Sequence, residues 1–276
     1  MGDPTSAALS SSPAALLRQL GLHPRKRFSQ SFLVDARLPE QIARAADLTA
    51  SDQVLEIGPG LGILTRALAR HAARVVAVEV DRDLARALPR LVPPNVAVVV
   101  GDALQLDPGE HFAGPYKLVA NLPYQITSPV LFRYFEVRPR PSLLVLMVQR
   151  EVAERIAARP GQLSYLAVAV QSVATVRTVR RVPPGAFFPR PRVESAVVRL
   201  DPRPSPLVPD EDRSGFLKLV QAGFAQPRKQ LANSLAQGLA VSKADALALL
   251  ARAAIAPHRR PQELELAEWA RLYELS

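Results

Sequence analysis

Between Gln53 and Ala157 the chain alternates short runs of Val, Ile and Leu with amphipathic segments of helix length. Gln53 to Ile57, Arg74 to Glu79, Asn95 to Gly101, Lys117 to Ala120 and Ser142 to Val148 read as strands. Residues 61–71, 82–91, 128–135 and 150–157 read as helices. Near-continuous apolar strands alternating with helices describe a parallel sheet covered on both faces, because each parallel crossover lays a helix on a face. The pattern therefore predicts an α/β, Rossmann-like fold whose ligands sit at the carboxyl ends of the strands.

The flanks are less regular. Ala14 to Leu20 predicts a short helix, followed by a basic and aromatic stretch from His23 to Leu33. Asp35 can cap a helix running to about Leu48. Ser164 to Val176 is apolar throughout and could be helix or strand; its length favours helix. Arg177 to Pro183 and Glu194 to Leu200 read as late strands, placed to close the sheet edge as an antiparallel pair. Asp201 to Pro209 is a proline-rich connector. Beyond it, helical patterns near 213–225, 227–237, 242–252 and 262–274 predict a small all-helical domain. The expected division is 1–22, a flexible tail with a short helix; 23–202, the sheet domain; and 203–276, the helical domain.

Composition narrows the function classes. The 276 residues contain no cysteine, so a disulfide framework and a Cys-ligated metal site are both excluded. The four histidines (His23, His71, His111, His258) are scattered without metal-ligand spacing, and no metal is expected. The N-terminus lacks a basic region followed by an apolar run, so it reads as a disordered tail and not as a secretory signal. The longest apolar stretches are strand-length, too short to cross a bilayer, and a soluble cytoplasmic protein is expected. The net charge of +10 favours a polyanionic partner.

Three features fall at the ends of consecutive strands. Glu56-Ile57-Gly58-Pro59-Gly60-Leu61-Gly62 joins the first strand to its helix, where Gly58 and Gly60 let backbone approach a ligand. Its spacing is G-x-G-x-G and not the dinucleotide G-x-G-x-x-G. The second strand ends in Glu79, suited to accept both ribose hydroxyls of a nucleoside. The third ends in Gly101-Asp102-Ala103, where a carboxylate can meet an adenine amine. Any one acid alone would be an ordinary surface charge. Together they point to a nucleoside-containing cofactor, and the glycine spacing favours S-adenosylmethionine over a nicotinamide.

The fourth strand ends in Asn121-Leu122-Pro123-Tyr124. An adenine amine is a poor nucleophile because its lone pair is delocalised into the ring. Two acceptors holding the amine hydrogens would aim that lone pair without a strong base. The Asn121 side-chain oxygen and the Pro123 carbonyl suit the role, and Tyr124 offers a face for a flipped base.

With these residues in place, the chain resembles the KsgA-type small-subunit ribosomal RNA adenine N6,N6-dimethyltransferases, a class I S-adenosylmethionine methyltransferase family with a small C-terminal all-helical domain. The resemblance runs from about Arg25 to the C-terminal helices. It includes residues 27–33, Glu56 to Gly62, Glu79, Asp102, Asn121 to Tyr124, residues 149–155, Phe187 to Val198 and Arg228 to Leu235. It implies methylation, from S-adenosylmethionine, of two adjacent adenines in the 3′-terminal hairpin loop of 16S rRNA. The enzyme would be a monomer acting on immature 30S subunits during ribosome biogenesis. By position, Ser31, Leu33, Gly58, Gly60, Glu79, Asp102, Ala103 and Asn121 would contact the cofactor, and Phe187 would face Tyr124 across the target base. The family usually has Gly-Gln-Asn-Phe-Leu where this chain has Ser29-Gln30-Ser31-Phe32-Leu33, which weakens or rearranges the contact expected at position 31. Leu166 also stands where the family usually has glycine.

Among several basic clusters, Arg190 and Arg192 flank Pro191 beside the expected pocket and are the preferred phosphate contacts. Arg228 and Lys229 begin a helix of the second domain and would also grip RNA. Two readings compete: a macrolide-resistance-type adenine N6-methyltransferase acting on 23S rRNA, which shares the Asn-x-Pro-Phe/Tyr motif, and a non-catalytic RNA-binding assembly factor. A nicotinamide oxidoreductase is a distant fourth.

Overall fold

The structure, a computed structural model, describes residues 12–25 and 28–276. Its contacts divide into two compact units. One comprises the described part of residues 1–153 with 177–201; the other comprises residues 154–176 with 202–276.

The first unit is built on a mixed sheet. Its strands are β2 (Gln53–Ile57), β3 (Arg74–Glu79), β4 (Val96–Val100), β5 (Lys117–Asn121), β6 (Leu143–Gln149), β7 (Ala174–Val182) and β9 (Ser195–Pro202), the start of β7 and the last residue of β9 grouping with the second unit. A separate pair joins β1 (Phe32–Leu33) to β8 (Phe187–Phe188). The sheet order is β4-β3-β2-β5-β6-β9-β7. From β2 the chain moves outward through β3 and β4, then returns to place β5 on the other side. Strands β2 to β6 pair in parallel, and β9 pairs antiparallel with β6. The reversal of strand order between β2 and β5 opens a crevice at their carboxyl ends, where open α/β sheets bind ligands.

Burial explains the sheet. Six of the seven residues of β6, Leu143 to Val148, are buried, as expected for a central strand covered on both faces. On one face, Val54, Val75, Val119 and Val145 pack with Leu38 and Ile42 of α2 (Leu38–Ala45) and with Leu64 and Leu68 of α3 (Ile63–His71). The crossovers also include α4 (Arg82–Ala87) and α5 (Thr127–Glu136), the latter burying Val130, Leu131, Tyr134 and Phe135. Helix α1 (Pro13–Gln19) buries Leu16 and Leu17 in a cluster with Phe32, Leu61, Leu84 and Leu91, so it packs on the sheet unit. Residues 1–11, read above as a disordered tail, lie outside the described residues.

Several boundaries differ from expectation, each for a local reason. Asp35 does not cap α2; the N-cap is Arg37, and Asp35 Oδ1 accepts the Arg37 amide at 2.9 Å in a preceding turn. Helix α3 starts at Ile63 because Gly62 occupies the N-cap in the left-handed region. A Cβ at Gly62 would meet Val92 Cγ1 at 2.8 Å, so glycine serves both the backbone angle and the packing. The apolar stretch 164–176 divides into helix and strand. Ser164 caps α7 (Tyr165–Gln171) through its hydroxyl, and Ala174 opens β7. The helix α6 (Arg150–Ile156) straddles the division between the units.

The second unit contains α7, α8 (Arg213–Gly223), α9 (Leu231–Gly238), α10 (Lys243–Arg252) and α11 (Leu266–Glu274). Residues 154–176, assigned from sequence to the sheet domain, group with these helices because α7 packs against α8. The buried Arg213 guanidinium strengthens that packing, donating to Ser172 Oγ and the Ala169 carbonyl, each at 3.2 Å. Its proline-rich connector is held by the Arg203 and Leu207 amides, which donate to the Val173 and Ser172 carbonyls. Helix α9 starts at Leu231, later than expected. Gln230 is extended, and residues 226–229 form a turn closed by the Lys229 amide on the Gln226 carbonyl. The predicted helix 262–274 breaks into one 3₁₀ turn, Pro261–Glu263, and α11, which begins at a Glu265–Glu268 capping box.

Candidate active site

The glycine turn after β2 supplies the floor of the site. Gly58, Gly60 and Gly62 have φ of +69°, +57° and +73°, angles that side chains disfavour. A Cβ at Gly60 would lie 3.0 Å from Phe32 Cε1, so the aromatic ring of β1 rests directly on this turn. The Gly60 amide donates to Glu79 Oε2 at 3.0 Å, and the Asp81 amide donates to Oε1 at 2.9 Å. Each oxygen of the Glu79 carboxylate keeps acceptor capacity beyond these bonds. Burial pushes the Glu79 carboxyl up, against the lowering effect of the amides. Asp102, at the tip of β4, is exposed. Its Oδ1 accepts the Leu104 amide at 2.9 Å, while Ala103 is buried and its carbonyl accepts the Tyr134 hydroxyl at 2.9 Å.

Opposite the turn stands the segment after β5. A Cβ at Gly58 would sit 3.7 Å from Pro123 Cδ, so the two turns are in contact. Asn121 Nδ2 donates to the Ser31 carbonyl at 3.2 Å. With the amide nitrogen so engaged, Asn121 Oδ1 is the end left to accept from a ligand; no donor among the described residues reaches it. The Pro123 carbonyl accepts the Ile126 amide at 3.1 Å and keeps a second lone pair. Phe187 is buried, and its backbone pairs with Leu33 through β1 and β8.

These groups enclose one cavity of about 250 Å³. Ser31, Leu33, Gly58, Gly60, Glu79, Asp102, Ala103, Asn121, Pro123, Tyr124 and Phe187 all line it. Ser31 is turned in an unexpected way: its hydroxyl donates to the Pro189 carbonyl at 3.2 Å. Arg190 and Arg192 are exposed in the loop after β8 and lie outside the cavity lining. Arg228 and Lys229 are exposed in the second unit, in the turn before α9 and not in the helix itself.

The lining also includes polar residues to which the sequence assigns no role, Glu56 and Gln30 among them. Glu56 is 1% exposed, its Oε2 has no hydrogen-bond partner, and burial pushes its carboxyl up to about 8. The signal was an acid inside the otherwise apolar strand Val54–Ile57. Gln30 Nε2 donates to Asp81 Oδ2 at 2.9 Å, and its Oε1 accepts the Arg25 amide at 2.7 Å. Arg25 also pairs with Asp81 at 2.7 Å and with Asp83, pinning the N-terminal arm beside Glu79. Lys26 and Arg27 lie outside the described residues. Among the described residues no cluster of His, Asp or Glu could hold a metal ion, and no helix is long and apolar enough to cross a membrane.

A glycine turn, a strand-tip Glu and an Asn-Leu-Pro-Tyr turn thus line one crevice of the sheet. The family model for ribosomal RNA adenine dimethylase matches residues 21–275. The chain belongs to the ribosomal RNA adenine dimethylase family. A member from Moorella thermoacetica, ribosomal RNA small subunit methyltransferase A, is 44% identical over 279 residues, covering 96% of each chain. Among solved structures, a dimethyladenosine transferase from Plasmodium falciparum superposes with a TM-score of 0.73 at 26% identity. It covers 87% of this chain and 95% of that one. The 23S rRNA methyltransferase ErmE superposes with a TM-score of 0.70 at 29% identity, covering 88% and 98%. Both support the class I methyltransferase fold of this adenine dimethylase, and the cavity described above lies wholly within the sheet unit.

Proposed function

We propose that this chain dimethylates the N6 amines of two adjacent adenines in the 3′-terminal hairpin loop of 16S rRNA, with S-adenosylmethionine as donor. It acts as a cytoplasmic monomer on immature 30S subunits during ribosome biogenesis. The observation that carries the reading is Asn121. Its amide nitrogen is tied to the Ser31 carbonyl, so its oxygen is presented in the same cavity as the glycine turn, Glu79, Tyr124 and Phe187.

The residues fit the donor. Glu79 retains acceptor sites for ribose hydroxyls, and Asp102 lies exposed at the cavity for an adenine amine. The partnerless Glu56 oxygen is a buried acceptor suited to a cationic group such as an ammonium. S-adenosylmethionine, when bound, supplies an activated methyl group. The chain's part is orientation. Asn121 Oδ1 and the Pro123 carbonyl accept hydrogen bonds from the two N–H groups of the target amine, which turns its lone pair out of ring conjugation; the methylated amine then releases one proton to solvent. A monomethylated amine still carries one hydrogen for one of these acceptors, so the same pair serves the second transfer. Tyr124 and Phe187 supply apolar faces for the extruded base. Arg190 and Arg192 beside this wall, and Arg228 and Lys229 on the helical unit, take RNA phosphates.

The test is transfer of tritiated methyl groups to unmethylated small subunits, followed by nucleoside analysis. Asn121→Ala should lower N6-dimethyladenosine formation at least 100-fold, by analogy with loss of a positioned polar group at a reaction centre, while cofactor binding stays measurable. Retained activity would refute the amine-orienting role. The likeness to ErmE supports a second arm: methylation of protein-free 23S rRNA in place of small subunits would move the substrate to the large subunit.

A further inference from the structure

Tyr124 lines the cavity, but its hydroxyl is engaged outside the cavity lining. Tyr124 Oη and Ser195 Oγ are 2.7 Å apart, a full hydroxyl–hydroxyl hydrogen bond. Ser195 is fully buried at the first position of β9 and is not among the lining residues. Its backbone is fixed from both directions. Ser195 pairs with Gln149 in the β6–β9 ladder, and the preceding Glu194 accepts the Arg150 amide at 2.9 Å and pairs with the Arg150 guanidinium at 2.6 Å. Tyr124 itself sits in a single 3₁₀ turn, Tyr124–Ile126, which gives its side chain little backbone support.

We propose that Ser195 is a positioning residue for the methyl-transfer reaction. It tethers the Tyr124 hydroxyl so that the ring stands as a fixed wall for the target base. This rests on the reading of the site as an adenine methyltransferase centre. The geometry of a tyrosine side chain makes the role specific. The hydroxyl lies on the axis about which the ring spins, so a bond there arrests the swing of the whole ring about χ1. A phenolic O–H lies in the ring plane, so the same bond also favours one plane. A base stacked on a ring that swings would carry its amine out of reach of Asn121 Oδ1 and the Pro123 carbonyl, and orientation is what this chain contributes to the rate. The tether also assigns the Tyr124 hydroxyl away from chemistry: it is an anchor, neither an acid nor an acceptor for the amine.

Ser195→Ala, Tyr124→Phe and the double variant test this in the full-length protein. Each single variant should lower kcat for methyl transfer to small subunits about tenfold, the effect of losing one neutral hydrogen bond. The double variant should fall by the same factor, because one bond is lost in all three. The cofactor Kd should stay within twofold. An RNA hairpin carrying 2-aminopurine at the target position should show less stacking, seen as brighter fluorescence, in all three variants. Multiplicative losses near 100-fold in the double variant, or a loss from Ser195→Ala that tracks cofactor affinity, would overturn the tether. If Ser195→Ala fails to fold, Tyr124→Phe decides alone, and an unchanged kcat and unchanged fluorescence refute the role. A wild-type protein that methylates no small-subunit adenine would sink the functional reading and this role with it. An active wild type with independent variants would sink only the tether.

Discussion

Replacement of Glu56 by Gln probes the least expected group in the cavity. Burial pushes this carboxyl up to about 8, and the neighbouring Glu79 adds to the effect. With that value, roughly one-tenth of the ligand-free protein carries the Glu56 carboxylate at pH 7, and about one-hundredth at pH 6. A cationic ligand group beside it binds the ionised form, so the apparent affinity scales with that fraction. Affinity for S-adenosylmethionine should therefore rise roughly ninefold between pH 6 and 7, below the titration of the ligand's own α-amine near 8. Binding at pH 7 should release about 0.9 proton. Calorimetry in buffers of different ionisation enthalpy measures both. Glu79 is also pushed up by burial, so the decisive quantity is the difference between wild type and Glu56→Gln, in which the release should vanish. Stability gives an independent check. Because the folded value lies above the ordinary 4.5, the contribution of this carboxyl is fully present below that pH and lost as the pH rises through about 8. The ligand-free wild type should lose a few kcal/mol over that window, and Glu56→Gln should lose less. A pH-independent affinity from 6 to 7 with no proton release would refute the buried neutral acid.

Gly60→Ala should destabilise the protein by roughly 1–2 kcal/mol and weaken cofactor binding. The new Cβ would press on Phe32 at 3.0 Å while the turn holds its φ of +57°; unchanged melting and binding would contradict this. Arg190→Ala and Arg192→Ala should each reduce the slope of log affinity against log salt by about 0.7–0.9 without moving the cofactor Kd; unchanged slopes would remove these residues from the RNA contact. Ser31→Ala should leave the cofactor Kd unchanged and raise KM for small subunits a few-fold, because it removes only the hydroxyl bond to Pro189. A weakened cofactor Kd would instead make Ser31 a cofactor ligand.

What the sequence made legible was period and placement. Strand-length runs of Val, Ile and Leu are a direct imprint of two-sided burial, and motif residues at strand ends inherit their position from the strands. That is why Gly58, Glu79, Asp102 and Asn121 converge on one cavity as expected. The errors arose where a local hydrogen bond outweighs periodicity. Ser164 caps a short helix inside an apolar run that continues as β7. Gln230 takes an extended conformation and delays α9, leaving Arg228 and Lys229 in a turn. Partnerships across the fold were invisible for another reason. Nothing in the spacing of Tyr124 and Ser195, or of Arg25 and Asp81, encodes contacts made 71 and 56 residues apart. Glu56 is the intermediate case. An acid in an apolar strand is conspicuous, but that its Oε2 finds no hydrogen-bond partner depends on what surrounds it.

The N-terminal arm unites the two halves of the site. One surface of the arm meets the proposed cofactor side: Phe32 rests on Gly60, and Arg25 and Gln30 bind Asp81, whose amide in turn holds Glu79. The other meets the proposed target side. The Ser31 carbonyl accepts from the Asn121 amide, the Ser31 hydroxyl donates to the Pro189 carbonyl, and β1 pairs with the strand carrying Phe187. A two-stranded ribbon has little stability of its own, so its place depends on both sets of partners at once. The arm therefore contacts the glycine turn, the Asn121 amide and the backbone of Phe187 together. On the proposed reading, cofactor and base sites would share this one element, and binding at each would then be coupled to binding at the other; a cofactor Kd unchanged by saturating RNA would refute that coupling.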